Sequence, residues 1–276
     1  MTEYDIRPFR SIGELHECVA LQEETWGHGF SERVAPAILK VAQILGGVAA
    51  GAYARDGSLA GFVFGMTGVR DGRVVHWSDM LAVRRGLRDT GLGRRLKAYQ
   101  REVLLERGVT TMFWTFDPLQ SRNAYLNFAR LGIVVREYRR DMYGETDSPL
   151  HRGIGTDRFI ALWEMDSPRV ARRMSGEERG PSATDHASDP AALSEADPPW
   201  ELPRAGTPVL DLDAPRLRVA IPADVSEIMA RSMDEAVAWR TATRDALTHY
   251  MERGYEVREL LRGARTSDYL LIRENA

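Results

Sequence analysis

The sequence predicts a mixed α/β (α+β) protein, in which a mainly antiparallel central sheet is flanked by helices and followed by a smaller C-terminal module. Three observations carry the prediction. Helical and strand periodicities alternate over the first 165 or so residues in the order β-α-α-β-β-β-α-β-α-β-β. The dipeptides Asp56-Gly57 and Asp71-Gly72 tolerate positive φ and lie between apolar runs, which marks hairpins. From about Asp166 to Pro215 the composition shifts to Pro, Ala, Ser, Glu and Asp. The expected division is a domain at 1–166, a flexible linker at 167–215, and a strand-helix-strand-strand module at 216–276.

Tyr4 to Phe9 reads as a strand, and Ser11 with Glu14 has the form of a capping box opening a helix. After a loop at Trp26-Gly27-His28-Gly29-Phe30, a second helix runs from about Arg33 to Leu45. Strands follow at Val48 to Ala54, Leu59 to Thr67 and Val74 to Val83. The next helix spans about Gly91 to Arg107, with Leu92, Leu96, Tyr99 and Val103 on one face. Thr111 to Phe116 reads as a strand, Ser121 to Leu131 as a helix, and 133–140 and 158–164 as strands. In the module a strand at 217–221 leads to one long helix at about 223–253, then strands near 256–261 and 269–272.

Hydrophobic residues at 43% and charged residues at 28% describe an ordinary globular composition. A net charge of −3, with arginines interleaved among acids, gives no reason to expect nucleic acid or a membrane surface as partner. The single cysteine, Cys18, excludes an intramolecular disulfide and a cysteine zinc cluster, and its apolar helix face suits a core residue. No metal is expected. The N-terminus lacks an apolar signal core and no run nears the length of a membrane span, so the cytoplasm is the default.

The informative stretch runs from Leu81 to Leu96. An Arg-x-x-Gly-x-Gly pattern, Arg88-Asp89-Thr90-Gly91-Leu92-Gly93, sits between an apolar strand and an amphipathic helix that continues through Arg94. Gly91 and Gly93 let backbone amides approach an anion, and the helix start supplies free N–H groups with a positive dipole end. Arg88 adds a donor fork suited to phosphate. A P-loop would need Gly-Lys-Ser/Thr, and Arg94-Arg95 stands there instead. A dinucleotide fingerprint would need glycine in place of Leu96. A plain strand-to-helix turn would give the same pattern.

Together with the order of elements, this motif resembles the GNAT acyltransferase superfamily, over roughly Tyr4 to Met165. A second element, Ser121-Arg122-Asn123-Ala124-Tyr125-Leu126-Asn127-Phe128-Ala129-Arg130-Leu131-Gly132-Ile133, fits the frame of a family helix at Ala124, Arg130 and Gly132. Asp117-Pro118-Leu119 before it, with Tyr143-Gly144 and Asp157-Arg158 after, looks like a bacterial subfamily of undefined acceptor. The resemblance implies acetyl-CoA, or another short acyl-CoA, as co-substrate. Leu81, Ala82, Val83, Arg88, Asp89, Thr90, Gly91, Leu92, Gly93 and Arg94 would bind it, together with Ser121 and Asn123 at the second helix. Main-chain N–H groups near Ala82 and Val83 would steady the thioester oxyanion.

Two departures stand out. The family's usual tyrosine falls at Phe128, which has no proton to give, and Tyr125 lies one turn earlier, either as a substitute acid or as a structural residue. The usual strand glutamate falls at Trp77. Asp79 and Asp117 are the carboxylates left to take a proton from an amine, although either could cap a helix or pair with arginine. Trp26, His28 and Trp77 would line the acceptor mouth, and His76 should point to the opposite face of its strand.

Thr243 to Tyr255 repeats the helix frame, with Tyr250 at the tyrosine place. The module is thus half a GNAT domain or a coincidence of a helix ending in Gly-Tyr. The expected activity is acyl transfer from CoA to a small-molecule amine, with a homodimer left open. A non-catalytic sensor of acyl-CoA or a metabolite is the competing reading.

Overall fold

The computed structural model describes residues 4–144, 153–178, 180–197 and 200–273. Packing divides the chain into Met1–Trp114 with Glu164–Asp166, and Thr115–Trp163 with Ser167–Ala276. This division falls within two strands, whereas the expected boundaries lay at 166 and 215.

The first unit runs through β1 (Asp5–Pro8), α1 (Ile12–Trp26), α2 (Pro36–Ile44), β2 (Val48–Tyr53), β3 (Leu59–Arg70), β4 (Arg73–Val83) and α3 (Leu92–Glu106) into β5 (Thr111–Phe116). Ser11 Oγ accepts from the Glu14 N–H, and Glu14 reaches back to the Arg10 N–H at 2.6 Å, so α1 begins where the capping pattern put it. Asp71 and Gly72 both have positive φ, 53° and 74°, which is the two-residue turn that matches strand twist. Strands β1 to β4 pair antiparallel, and β5 joins β4 in parallel at His76↔Met112 and Trp77↔Phe113. Leu15, Leu21 and Leu39 of the first two helices pack with Phe62, Phe64 and Met80 as core.

Helix α3 differs from its expected face. Its buried residues are Leu92, Leu96, Lys97, Gln100 and Leu104, so two polar side chains lie in the stripe and Tyr99 and Val103 sit beside it. The β3–β4 register slips between Phe64↔Met80 and Gly65↔Ser78, which leaves Asp79 as an extra residue on β4. Such a bulge breaks the ladder locally and re-aims the residues beside it.

The second unit contains α4 (Ser121–Tyr125), a π-helical turn (Leu126–Leu131), β6 (Val134–Arg139), β7 (Arg158–Glu164), α5 (Pro168–Ser175), β8 (Ala191–Leu193), β9 (Arg216–Pro222), α6 (Val225–Arg231), α7 (Met233–Glu252), β10 (Tyr255–Leu261) and β11 (Thr266–Arg273). Its strands lie in the order β7-β6-β10-β11-β9-β8. The single long helix expected at 223–253 is two helices. Ser232 leaves the helical region with φ −154° and its side chain caps α7 through the Glu235 N–H. The segment expected to be a linker carries α5, capped by Ser167 with Pro168 in its first turn, and β8, which pairs in parallel with β9. Strand β10 meets β6 at Val257↔Val135, so the C-terminal strands and residues 115–163 share one sheet.

Candidate functional site

The turn from β4 into α3 is built to expose amides. Gly91 is the N-cap at φ 84°, a conformation that costs a side chain about 1–2 kcal/mol, and it offers no side-chain cap to the first turn of α3. Asp89 also has positive φ, 65°, and the Thr90 hydroxyl donates to Leu87 O at 2.7 Å, which tightens the approach. Arg88, Asp89, Thr90 and Gly91 are exposed, Gly93 and Arg94 half-buried, and Leu92 is buried in the core. Arg84 is turned away, its Nε donating to Leu59 O while its guanidinium pairs with Glu24. Its own N–H donates to Ala60 O of the β3 side at 3.0 Å. By strand alternation Leu81 and Val83, rather than Ala82, present their N–H groups to the opposite edge of β4. A Cβ on Gly93 would meet Leu81 and Val83 at 3.5 and 3.9 Å, ordinary contact distances.

Asp79 stands at the bulge below that edge. Its side chain reaches solvent yet is crowded by protein. That desolvation raises its carboxyl above the usual range, the charge of Glu32 in the α1–α2 connection raises it further, and a hydrogen bond from Trp77 opposes both. Trp26 stacks on Phe30 at 5.4 Å and meets Phe62 edge-on at 6.2 Å, so it borders the core. His28 is almost wholly exposed and lies 3.6 Å from Glu23. Trp77 is half-buried.

Beneath α3 lies a polar network. His76, expected on the face of its strand opposite Trp77, is fully buried between the Thr67 hydroxyl at 3.1 Å and Gln100 Nε2 at 3.0 Å. Burial holds its pKa down to about 3, helped by the charges of Lys97 and Arg107. Lys97 Nζ donates to Ser78 Oγ at 2.7 Å, lies 3.4 Å from Gln100 Oε1, and sits 4.0 Å over the Trp114 ring. Desolvation alone lowers it to about 7.

In the second unit Asp117 is buried, its two oxygens each 2.8 Å from Arg240 Nη2, and it accepts from the Leu119 N–H. Its carboxylate is committed to an arginine 123 residues away and to its own loop. Ser121 is buried against the Ser267 hydroxyl at 2.9 Å, and Asn123 is exposed. Tyr125 is half-exposed, with the guanidinium groups of Arg262 and Arg130 at 4.9 and 5.9 Å from its ring. Phe128 packs edge-on against Phe116 and Tyr269 in full burial. Tyr250 donates to Val209 O at 2.7 Å and accepts from the Leu212 N–H, a structural post. The nominated residues therefore divide between the units: the turn, Asp79 and the tryptophans in the first, Asp117, Ser121, Asn123 and Tyr125 in the second. Glu32, Lys97 and Arg240 were not nominated from sequence. Only Lys97 had a local signal, its spacing of one and four residues from Leu96 and Gly93 on the helix.

Among the described residues no group of His, Cys, Asp and Glu could hold a metal ion, and no helix is long and apolar enough to cross a membrane. No protein-family model and no curated protein matches the sequence. Solved structures with a similar chain path are acetyltransferases, some of them described as members of the GNAT family. One is the ribosomal-protein-S18-alanine N-acetyltransferase of Escherichia coli, at 20% identity over 60% of this chain and 96% of that one, TM-score 0.46. Another is a GNAT-family acetyltransferase from Streptococcus pneumoniae, at 17% identity over 58% and 98%, TM-score 0.47. A third, a protein from Salmonella typhimurium assigned as an acetyltransferase and solved with its cofactor acetyl-CoA, shares 16% identity over 66% and 99%, TM-score 0.49.

Proposed function

We propose that the protein is an acyl-CoA-dependent N-acyltransferase of the GNAT type that passes a short acyl group to a small-molecule amine. The observation that carries this reading is the β4–α3 turn, where an uncapped helix start, a glycine at positive φ and an exposed arginine converge beside a β-bulge. That arrangement suits a pyrophosphate, with Arg88 as counter-charge and the amides of Leu92, Gly93 and Arg94 as donors. The N–H groups of Leu81 and Val83 would hold the thioester oxygen as it gains charge.

Attack then forms the N–C bond of the amide and breaks the thioester C–S bond. An alkylammonium has no lone pair for this, so a base must take its proton first. Asp79 is the better of the two aspartates: its carboxyl is raised toward the range where proton transfer is efficient, whereas Asp117 is held by Arg240. Trp77 and the Trp26–Phe30 pair would flank the acceptor. Departure of the thiolate needs little help, because a thiol of pKa about 8.5 is a fair leaving group.

The test is calorimetry with acetyl-CoA and CoA on Arg88→Glu and on Arg88→Glu with Gly91→Val. Loss of binding in folded variants is expected, and unchanged affinity would sink the cofactor assignment. One observation favours a non-catalytic acyl-CoA sensor: the family's acid position holds a phenyl ring, Phe128. Release of CoA thiol with any of a panel of amines decides against the sensor.

A further inference from the structure

Lys97 is a cation without an anion. It is 7% exposed, and every polar partner it has is neutral: Ser78 Oγ, Gln100 Oε1 and the thioether of Met112 at 3.7 Å. No carboxylate acts on it among the described residues. Burying an ammonium this way is costly unless an opposite charge joins it. Its place in the fold suggests where that charge would come from. The β4–β5 ladder holds at His76↔Met112 and Trp77↔Phe113, and the next residues on the two strands are Ser78 and Trp114, the two groups against Lys97. Immediately beyond, β4 bulges at Asp79. Lys97 thus lies where this pairing of the two strands ends, less than two helical turns along α3 from the turn that opens it.

We propose that the acyl donor is a dicarboxylic acyl-CoA, of the succinyl or malonyl kind, and that Lys97 receives the free carboxylate at the far end of its acyl chain. This rests on the acyl-CoA reading above. The distal carboxylate takes no part in the bond changes; it lies against Nζ and the Ser78 hydroxyl, while the amine displaces CoA thiol at the other end of the chain. A neutral acetyl or butyryl group leaves Lys97 as it was. The carboxylate supplies the missing charge, and binding it favours the protonated amine. Of the titratable groups around it, His76 from β4 is held neutral by burial, and β5 places Met112 and Trp114 against it. The proton change on binding therefore belongs to Lys97.

Calorimetry with succinyl-CoA, butyryl-CoA and CoA separates the outcomes. We expect succinyl-CoA to bind the wild-type chain at least tenfold more tightly than butyryl-CoA. At pH 8, runs in buffers of different ionisation heat should show uptake of most of one proton with succinyl-CoA and none with butyryl-CoA. Lys97→Met should remove both the preference and the uptake while leaving CoA affinity unchanged, and Ser78→Ala should weaken the preference without abolishing it. Equal affinity for the two acyl-CoAs with no proton uptake overturns the proposal even if CoA binds well. Failure of CoA itself to bind instead overturns the underlying reading, and free succinate as a separate titrant shows whether the subsite works without the CoA handle. If Lys97→Met does not fold, the proton count on the wild-type chain decides alone.

Discussion

The two units treat buried charge in opposite ways. In the second, the buried Arg240 and Arg173 and the half-buried Arg244 each hold a carboxylate: Arg240 on Asp117, Arg244 on Asp157 with both contacts at 2.7 Å, Arg173 on Glu259 at 2.6 Å. These pairs join residues 115–163 and α5 to the C-terminal helix and strands, and planar guanidinium forks fix the orientation of what they join. In the first unit the buried cation is Lys97, with only neutral partners, and the crowded anion is Asp79, with Glu32 for a neighbour. Satisfied pairs specify structure, and charged groups without a counter-charge are candidates for a ligand to complete.

The largest effect should come from breaking a pair in the second unit. Arg240→Ala leaves Asp117 buried without its partner and should cost about 3–5 kcal/mol in urea denaturation, since the orphaned charge is the penalty. Replacing both together, Arg240→Met with Asp117→Leu, should recover most of that. Kinetic effects should concentrate in the first unit. Asp79→Asn should lower kcat about 10²- to 10⁴-fold near neutral pH with the melting temperature unchanged, whereas Asp117→Asn should act on stability first. If Asp117→Asn instead lowers kcat in a fully stable protein, the contrast between the two aspartates fails.

Lys97→Met should do the reverse of Arg240→Ala and stabilise, by on the order of 1–4 kcal/mol at pH 7. The sign follows from its lowered pKa of about 7 against 10.5 when unfolded. Below pH 7 both states hold the proton and the folded state carries the whole penalty, which lifts as pH rises from 7 toward 10.5. The advantage of methionine should therefore be full at pH 6 and fade by pH 10 in paired denaturation curves. The smallest effect is the sharpest test of Asp79: Glu32→Gln removes the charge that helps raise its carboxyl, so the acid limb of the rate profile should move to lower pH, with little change in its plateau.

What could be read in the sequence follows from the range of the forces involved. Turns are local, and so Asp56-Gly57, Asp71-Gly72 and the Gly91 turn were legible from two to six residues. The capping of α1 by Ser11 was legible for the same reason, and so was the turning of His76 to the face of its strand opposite Trp77. The break at Ser232 was missed because an apolar stripe continues through it, and a serine inside a helical pattern gives weak warning. The bulge at Asp79 was invisible, because it is a mismatch with β3 and not a property of β4. Lys97 was passed over because amphipathic reading sorts residues by hydropathy, and a buried lysine sorts to the wrong face. The engagement of Asp117 by Arg240 had no local trace at all. It decides which of two equally plausible aspartates is available for chemistry.

That same pairing bears on how the chain is made. Asp117 leaves the ribosome 123 residues ahead of Arg240, so at roughly 5–20 residues per second it waits about 6–25 seconds for its partner. Strand β6 waits about as long, since Val257 of β10 follows its partner Val135 by 122 residues. Until then the nascent second unit holds a bare sheet edge and an uncompensated acid, while the first unit already has nearly all of its residues. The newborn protein is half-finished in a specific sense, and a chain stopped before β9 should be a substrate for chaperones and proteases rather than a smaller folded protein.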